Sequence, residues 1–256
     1  MKIIAGPCQH ESLEQSLEIA QHCSEICDKY GIEYIFKASF DKANRTHNDG
    51  IRGVGLHPFI KDILTMKDEM DLKVLTDVHQ PDQIQYLKYV VDVLQIPAFL
   101  CRQTDLIKAA CATDCIVNIK KGQFLAPSDV KGILSKTEGE VWITERGTSF
   151  GYNRLINDFT GMVDLLSDLG EAFVYDVTHS VQQPGGNGNS SGGNRDYVPS
   201  LCRAASAIGV SSFFLEVHPD PDNAPSDGPN MIRLDNFEEV VNNIDRYSYS
   251  SQIPLK

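Results

Sequence analysis

The sequence predicts one eightfold barrel of alternating strands and helices, a (β/α)8 or TIM barrel formed as a single domain over residues 1–256. Three observations predict it. Eight short apolar runs recur along the chain, segments long enough for helices lie between them, and 256 residues is close to the usual size of such a barrel. Each run also ends in a residue able to do chemistry. Cys8 closes IIAGPC, Lys37 closes YIFK, Asp77 closes KVLTD and Gln95 closes VVDVLQ. Lys120 closes CIVNIK, Arg146 follows VWITE, Asp176 closes AFVYD with His179 just beyond, and Glu216 closes SSFFLE. A closed parallel barrel gathers all its C-terminal strand ends on one face, where such barrels keep their active sites. One polar strand end means little, whereas eight in succession point to a catalytic mouth.

The helices follow from apolar spacing. Residues 11–30 read as an amphipathic helix, with Leu13, Leu17, Ala20 and Cys27 on one face. Further helices fit 56–70, 81–88, 104–111, 127–135, 158–169, 196–208 and 234–244. The segment PGGNGNSSGG at 184–193 is rich in Gly and small polar residues and reads as a mobile loop, either a plain connector or a lid, since it follows the seventh strand end.

Hydrophobic content of 41% and charged content of 23% fit a soluble globular protein. Met1 runs almost directly into the first strand and no apolar run approaches a membrane span, so the expected compartment is the cytoplasm. The 7 cysteines form no Cys-x-x-Cys pair; Cys23 and Cys27 read as small core fillers, Cys111 and Cys115 as structural residues. The net charge of −12 argues against a nucleic-acid or anionic-membrane partner. It also makes local cationic clusters informative, because an acidic protein that handles anions must gather Lys and Arg at the site itself.

Three constellations carry chemistry. Cys8, His179, Glu216 and Asp227 are a thiol, an imidazole and two carboxylates, a donor set that suits a divalent transition metal. Only barrel closure can bring them together, since it makes strands one, seven and eight neighbours; singly, Cys8 reads equally as a buried turn residue and Glu216 as an ion-pair partner. The run FKASFDKANRTHNDGIRG places Lys37, Lys42, Arg45 and Arg52 in one loop, with Asn44 and Thr46 adding amide and hydroxyl donors. That mixture suits a sugar phosphate, against the plainer reading of a solvated basic face. Lys120 and Arg146, at adjacent strand ends, suggest a second anion. Lys121 should point the other way, as a structural or exposed residue.

At these residues the chain resembles the 3-deoxy-D-manno-octulosonate 8-phosphate (KDO 8-phosphate) synthase family. IAGPC, FKASFDKANR, TDVH, QIPAFLCRQTDL, NIKKGQFLAP, TERGTSFGYN, DVTHSVQQPGG, SGGNR and EVHPDPDNAPSDGPN occur in that family's order, over residues 3–244. The resemblance implies a condensation of phosphoenolpyruvate with arabinose 5-phosphate and water that releases phosphate, in lipopolysaccharide biosynthesis. It implies the metal-dependent branch, because Cys8 stands where the other branch has Asn. Cys8, His179, Glu216 and Asp227 would then hold a zinc, iron, manganese or cobalt ion. Lys42, Gln95, Lys120, Arg146 and His179 would surround phosphoenolpyruvate, and Lys37, Asn44, Arg45, Thr46 and Asp77 the sugar phosphate. Lys37, Lys42, Asp77 and His179 would stand nearest the chemistry. Arg102, in FLCRQTD, would reach a neighbour's sugar-phosphate site, which implies a homotetramer.

The chain departs from the family in two places. Thr46-His47 follows ANR where the family usually has Ser-Ser; Thr46 keeps the hydroxyl, and His47 has no assigned role. Pro225 restricts the backbone leading to Asp227. Two rival functions remain. A sister synthase using erythrose 4-phosphate (3-deoxy-7-phosphoheptulonate synthase) typically reads Lys-Pro-Arg-Thr-Ser, whereas this chain reads KANRT. A non-catalytic barrel acting as a binding protein would have no reason to keep a polar residue at every strand end.

Overall fold

Eight parallel strands close on themselves in the computed structural model, which describes residues 1–45, 47–186 and 191–248. They are β1 Lys2–Gly6, β2 Glu33–Lys37, β3 Lys73–Asp77, β4 Val93–Ile96, β5 Ile116–Lys120, β6 Val141–Glu145, β7 Phe173–Asp176 and β8 Ser212–His218. Closure is the β8–β1 pairing, in register Ile3 with Phe213 and Ala5 with Leu215. Strands covered on both faces are apolar nearly throughout, which is why they read as runs rather than as alternating patterns.

Side chains alternate along each strand, so every second residue enters the barrel. Ile4, Ile35, Leu75, Val93, Trp142, Val174 and Phe214 pack together as the inner apolar layer. Two residues further along β2, β3, β4, β7 and β8 the same face carries Lys37, Asp77, Gln95, Asp176 and Glu216. The polar mouth is thus the next layer of one period-two pattern. Beneath it, Thr144 Oγ1 donates to Asn118 Oδ1 at 2.6 Å and Asn118 Nδ2 donates to Gln95 Oε1 at 3.1 Å, which satisfies polar groups inside the barrel.

The outer faces of the strands pack on the helices in the larger core, which includes Ile3, Phe36, Val74 and Phe213. The helices are α1 Leu13–Lys29, α2 Leu56–Glu69, α3 Pro81–Leu87, α4 Thr104–Cys111, α5 Val130–Leu134, α6 Phe159–Leu169, α7 Val198–Ala207 and α8 Phe237–Ser248. All eight expected helices form, and their ends have physical causes. Ser12 caps α1 by accepting from Gln15 N, and Asp158 caps α6 by accepting from Thr160 N and Gly161 N. A 3-10 turn, Pro127–Asp129, precedes α5, and another, Arg195–Tyr197, precedes α7. α8 runs further than expected, to Ser248.

Cys23 and Cys27 are fully buried on α1, and all seven cysteines are free thiols. Lys121 is structural: it is fully buried, not exposed, and its ammonium meets Glu145 Oε2 at 3.2 Å and Leu125 O at 3.0 Å. Among the described residues no helix is long and apolar enough to cross a membrane. Of the segment 184–193, residues 187–190 lie outside the described residues, so the lid reading falls partly there. Its base is a short antiparallel ladder, Gln182 with Gly193 and Gln183 with Gly192.

Candidate active site

The C-terminal strand ends enclose a cavity of about 620 Å³. Eleven residues singled out in the sequence line it: Lys37, Lys42, Asn44, Arg45, Asp77, Gln95, Lys120, Arg146, His179, Glu216 and Asp227. Cys8 lies just beneath, buried, with its thiol 3.2 Å from Asp227 Oδ2. Thr46 lies outside the described residues. Arg102 is exposed on the segment after β4 and does not reach this cavity. His47 lines the cavity from an exposed position, its Nδ1 3.5 Å from Asp49 Oδ2.

The thiol, imidazole and two carboxylates do come together. One ligand atom each from Cys8, Glu216 and Asp227 lies within 4.8 Å of the others. His179 Nε2 faces the same point, 3.5 Å from Glu216 Oε2 and 3.8 Å from Asp227 Oδ2. β1 delivers Cys8 because Gly6 passes so close to β2 that a Cβ there would sit 2.1 Å from Lys37 O. His179 follows β7 on the four-residue helix Val177–Ser180, which Asp176 caps by accepting from His179 N at 2.9 Å. Asp176 Oδ2 also lies 2.7 Å from His179 Nδ1. A carboxylate only accepts, so Nδ1 carries a proton, and Nε2 is the nitrogen that faces Glu216 and Asp227. Asp227, after Pro225, adopts a left-handed backbone with φ of 53°, and its carboxylate still reaches the cluster.

This set fits a metal ion. Glu216 Oε2 is buried without a hydrogen-bond partner among the described residues, a loss that a cation would make good. Burial, reinforced by the Glu216 charge, pushes the Cys8 thiol well above its ordinary range, so the thiolate needs a cation beside it. Burial also opposes the Glu216 carboxylate, but His179, Lys37 and Lys42 outweigh it and bring its pKa down to about 2.

The cations are held by the protein. Lys37 donates to Glu216 Oε1 at 2.5 Å and to Cys8 O at 2.9 Å. Lys42 donates to Ser39 Oγ at 2.8 Å; burial works against its charge, and Cys8, Asp77, Glu216 and Asp227 together outweigh burial and raise its pKa. Lys120 pairs with Asp176 and sits 3.3 Å from the centroid of the Phe214 ring. Burial nevertheless pushes Lys120 down to about 8, with Asp176 pulling the other way. Arg146 Nη2 donates to Gln182 Oε1 at 2.8 Å and to His179 O at 3.3 Å, while its Nε is buried without a partner among the described residues. Arg45 clasps two loops, donating to Ser226 Oγ at 2.7 Å, to Ile51 O at 2.7 Å and to Gln9 Oε1 at 3.0 Å. Asp77 Oδ2 lies 3.1 Å from His79 Nε2, and its Oδ1 is buried without a partner among the described residues. Burial opposes the Asp77 charge, yet His79, Lys42 and Lys37 hold its carboxyl well below the usual range.

From the sequence Asp176 stands out only as a polar strand end, and Gln182, Asn118, Ser226 and His79 have no assigned role. Asp176 carried a usable signal, an Asx residue three positions before His179 at a strand end. Gln182 and Asn118 carried none, because their partners are distant in sequence.

Fold and mouth together define a (β/α)8-barrel protein whose mouth gathers Lys and Arg side chains beside a thiol, an imidazole and two carboxylates. The chain belongs to the DAHP synthetase I family, whose model matches residues 1–249. It is 51% identical over 253 residues to the 2-dehydro-3-deoxyphosphooctonate aldolase of Bartonella bacilliformis, covering 96% of this chain and 89% of that one. Proteins of the same name from Nitrobacter hamburgensis (53% identical over 245 residues, covering 94% of this chain and 85% of that one) and Caulobacter vibrioides (50% over 251 residues, 96% and 87%) are similar over the same extent. The motif resemblance and the whole-chain similarity therefore agree.

Proposed function

We infer that this protein condenses phosphoenolpyruvate with arabinose 5-phosphate and water, giving 3-deoxy-D-manno-octulosonate 8-phosphate and phosphate for lipopolysaccharide biosynthesis. The observation that carries the reading is the gathering of eleven matched residues around one cavity, in a chain half identical to relatives named for that product. Carbon–carbon bond formation joins the methylene carbon of phosphoenolpyruvate to the sugar aldehyde. Water adds at the enol carbon, and phosphate leaves with cleavage of its carbon–oxygen bond.

The chain's residues have two tasks. They must hold two multiply charged anions side by side, and they must orient them. Lys120, Arg146, Gln95 and Lys42 form the phosphoenolpyruvate side, where the unpartnered Arg146 Nε offers a buried donor to an anion. Asn44, Arg45 and Thr46 supply donors for the sugar phosphate. Asp77 Oδ1 is a buried acceptor without a partner among the described residues, suited to a sugar hydroxyl. Lys37 lies under the cluster and stabilises Glu216 as a carboxylate. Cys8, His179, Glu216 and Asp227 would hold a divalent transition metal. Such an ion, when bound, orients the aldehyde or a water and lowers that water's pKa. The reading also places the protein in the cytoplasm, in keeping with free thiols, as a homotetramer in which Arg102 serves a neighbour.

Phosphate release from phosphoenolpyruvate is the test. Arabinose 5-phosphate should drive it much faster than erythrose 4-phosphate, and the reverse preference would overturn the reading. Arg45→Ala removes a charge-assisted contact worth roughly 1.5–3 kcal/mol and should raise KM for the sugar more than for phosphoenolpyruvate. The opposite pattern would mean that the two anion sites are exchanged.

A further inference from the structure

We propose that Gln182 is a positioning residue: its side-chain amide ties Arg146, on the phosphoenolpyruvate side, to Asp227 of the ligand cluster. Gln182 begins the short ladder at the base of the β7–α7 loop. Its Oε1 accepts from Arg146 Nη2 at 2.8 Å. Its Nε2 donates to Asp227 Oδ1 at 2.7 Å and to Ser191 Oγ at 3.1 Å. The orientation of an amide is often ambiguous, but here both ends decide it. A guanidinium only donates, so the oxygen must face Arg146. A carboxylate only accepts, so the nitrogen must face Asp227. Although Gln182 lines the cavity, its oxygen and its nitrogen are engaged by the protein, so its part is to orient other groups.

The consequence for Asp227 is a division of its two oxygens. Gln182 takes Oδ1, and Oδ2 faces Cys8 Sγ at 3.2 Å and His179 Nε2 at 3.8 Å while accepting from Ser226 Oγ at 3.3 Å. Asp227 sits in a loop with a left-handed backbone, so side-chain ties set the rotation of its carboxylate. The consequence for Arg146 is a fixed guanidinium plane, held by Gln182 Oε1 and His179 O. A ligand that draws on Arg146 and a metal that draws on Asp227 pull on the same amide. Their affinities are therefore linked, and the linkage acts equally in both directions.

This inference rests on the proposed metal and phosphoenolpyruvate site, and its test separates the two. Wild-type and Gln182→Met protein are stripped of metal and titrated with Co²⁺, following the thiolate-to-cobalt absorption, with and without phosphoenolpyruvate. Phosphoenolpyruvate binding is measured by calorimetry, and thermal unfolding checks the fold. Methionine keeps the bulk and removes both hydrogen bonds; Gln182→Ala is used if the methionine variant does not fold. The folded variant should bind Co²⁺ about tenfold more weakly, the loss usual for a group supporting a metal ligand. It should also bind phosphoenolpyruvate more weakly and lose the dependence of one affinity on the other. Wild-type affinities for both, or a loss confined to one, overturn the inference and leave the proposed reaction standing. A wild-type protein that takes up neither Co²⁺ nor phosphoenolpyruvate defeats the proposed function, and the inference with it.

Discussion

Lys120 combines a buried charge with a pKa of about 8, set by burial against the pull of Asp176. In the proposed site it would hold an anion only while protonated. Its ordinary value of 10.5 is lowered, so the charge is present below about pH 8 and lost as pH rises through that value. The kcat/KM for phosphoenolpyruvate should therefore fall on the alkaline side, by up to about tenfold per pH unit from this group. Lys120→Arg, which does not titrate in this range, should carry that limb to higher pH if it stays active. A wild-type profile that stays level well above pH 9 or so would contradict the assignment. The residue scale is also where the sequence was most and least informative. Lys37, Asp77, Gln95 and Glu216 were legible because each closes an apolar run, at the C-terminal end of its strand. Gln182 and Asn118 were not, because an amide acquires its role from partners the fold delivers, and an isolated Gln or Asn looks like any other. Cys8 was legible as a candidate ligand, yet its proximity to Asp227, 219 residues away, follows only from barrel closure.

At the scale of elements, the barrel interior connects packing to activity. Leu75 is fully buried in the inner apolar layer, two residues before Asp77 on β3. Leu75→Ala should cost about 2–5 kcal/mol in urea unfolding, by lost burial and a residual cavity. It should lower turnover as well, because the floor under Asp77 loosens. Leu64→Ala on α2, where Leu64 is 46% exposed, should stay within about 0.5 kcal/mol of wild type. Equal effects from the two substitutions would contradict the layered interior. Helix existence was legible throughout from apolar spacing, while helix ends were displaced by caps and 3-10 turns. The start of α1 moved to Leu13 because Ser12 caps it, a local hydrogen bond that apolar spacing does not encode.

At the scale of the whole molecule, a net charge of −12 surrounds a mouth that collects Lys42, Arg45, Lys120 and Arg146. That net charge disfavours a nucleic-acid partner, and the cations gathered at the mouth would concentrate anion binding where the chemistry is proposed. Arg102 stands outside its own chain's cavity, and in the proposed tetramer it completes a neighbour's. Mixing Arg102→Ala with Lys120→Ala protein should then restore part of the activity that each variant lacks, because mixed assemblies contain sites missing neither residue. No recovery after verified subunit exchange would remove Arg102 from the neighbour's site.

The central claim is that one barrel mouth joins two phosphorylated substrates beside a metal held by Cys8, His179, Glu216 and Asp227. Mass spectrometry of the products formed from phosphoenolpyruvate and arabinose 5-phosphate, by metal-stripped protein and by the same protein reloaded with Co²⁺, tests it most directly. The reloaded protein should form the eight-carbon sugar acid phosphate, and the stripped protein little or none. Equal product from fully stripped protein, or no product from reloaded protein, would contradict it.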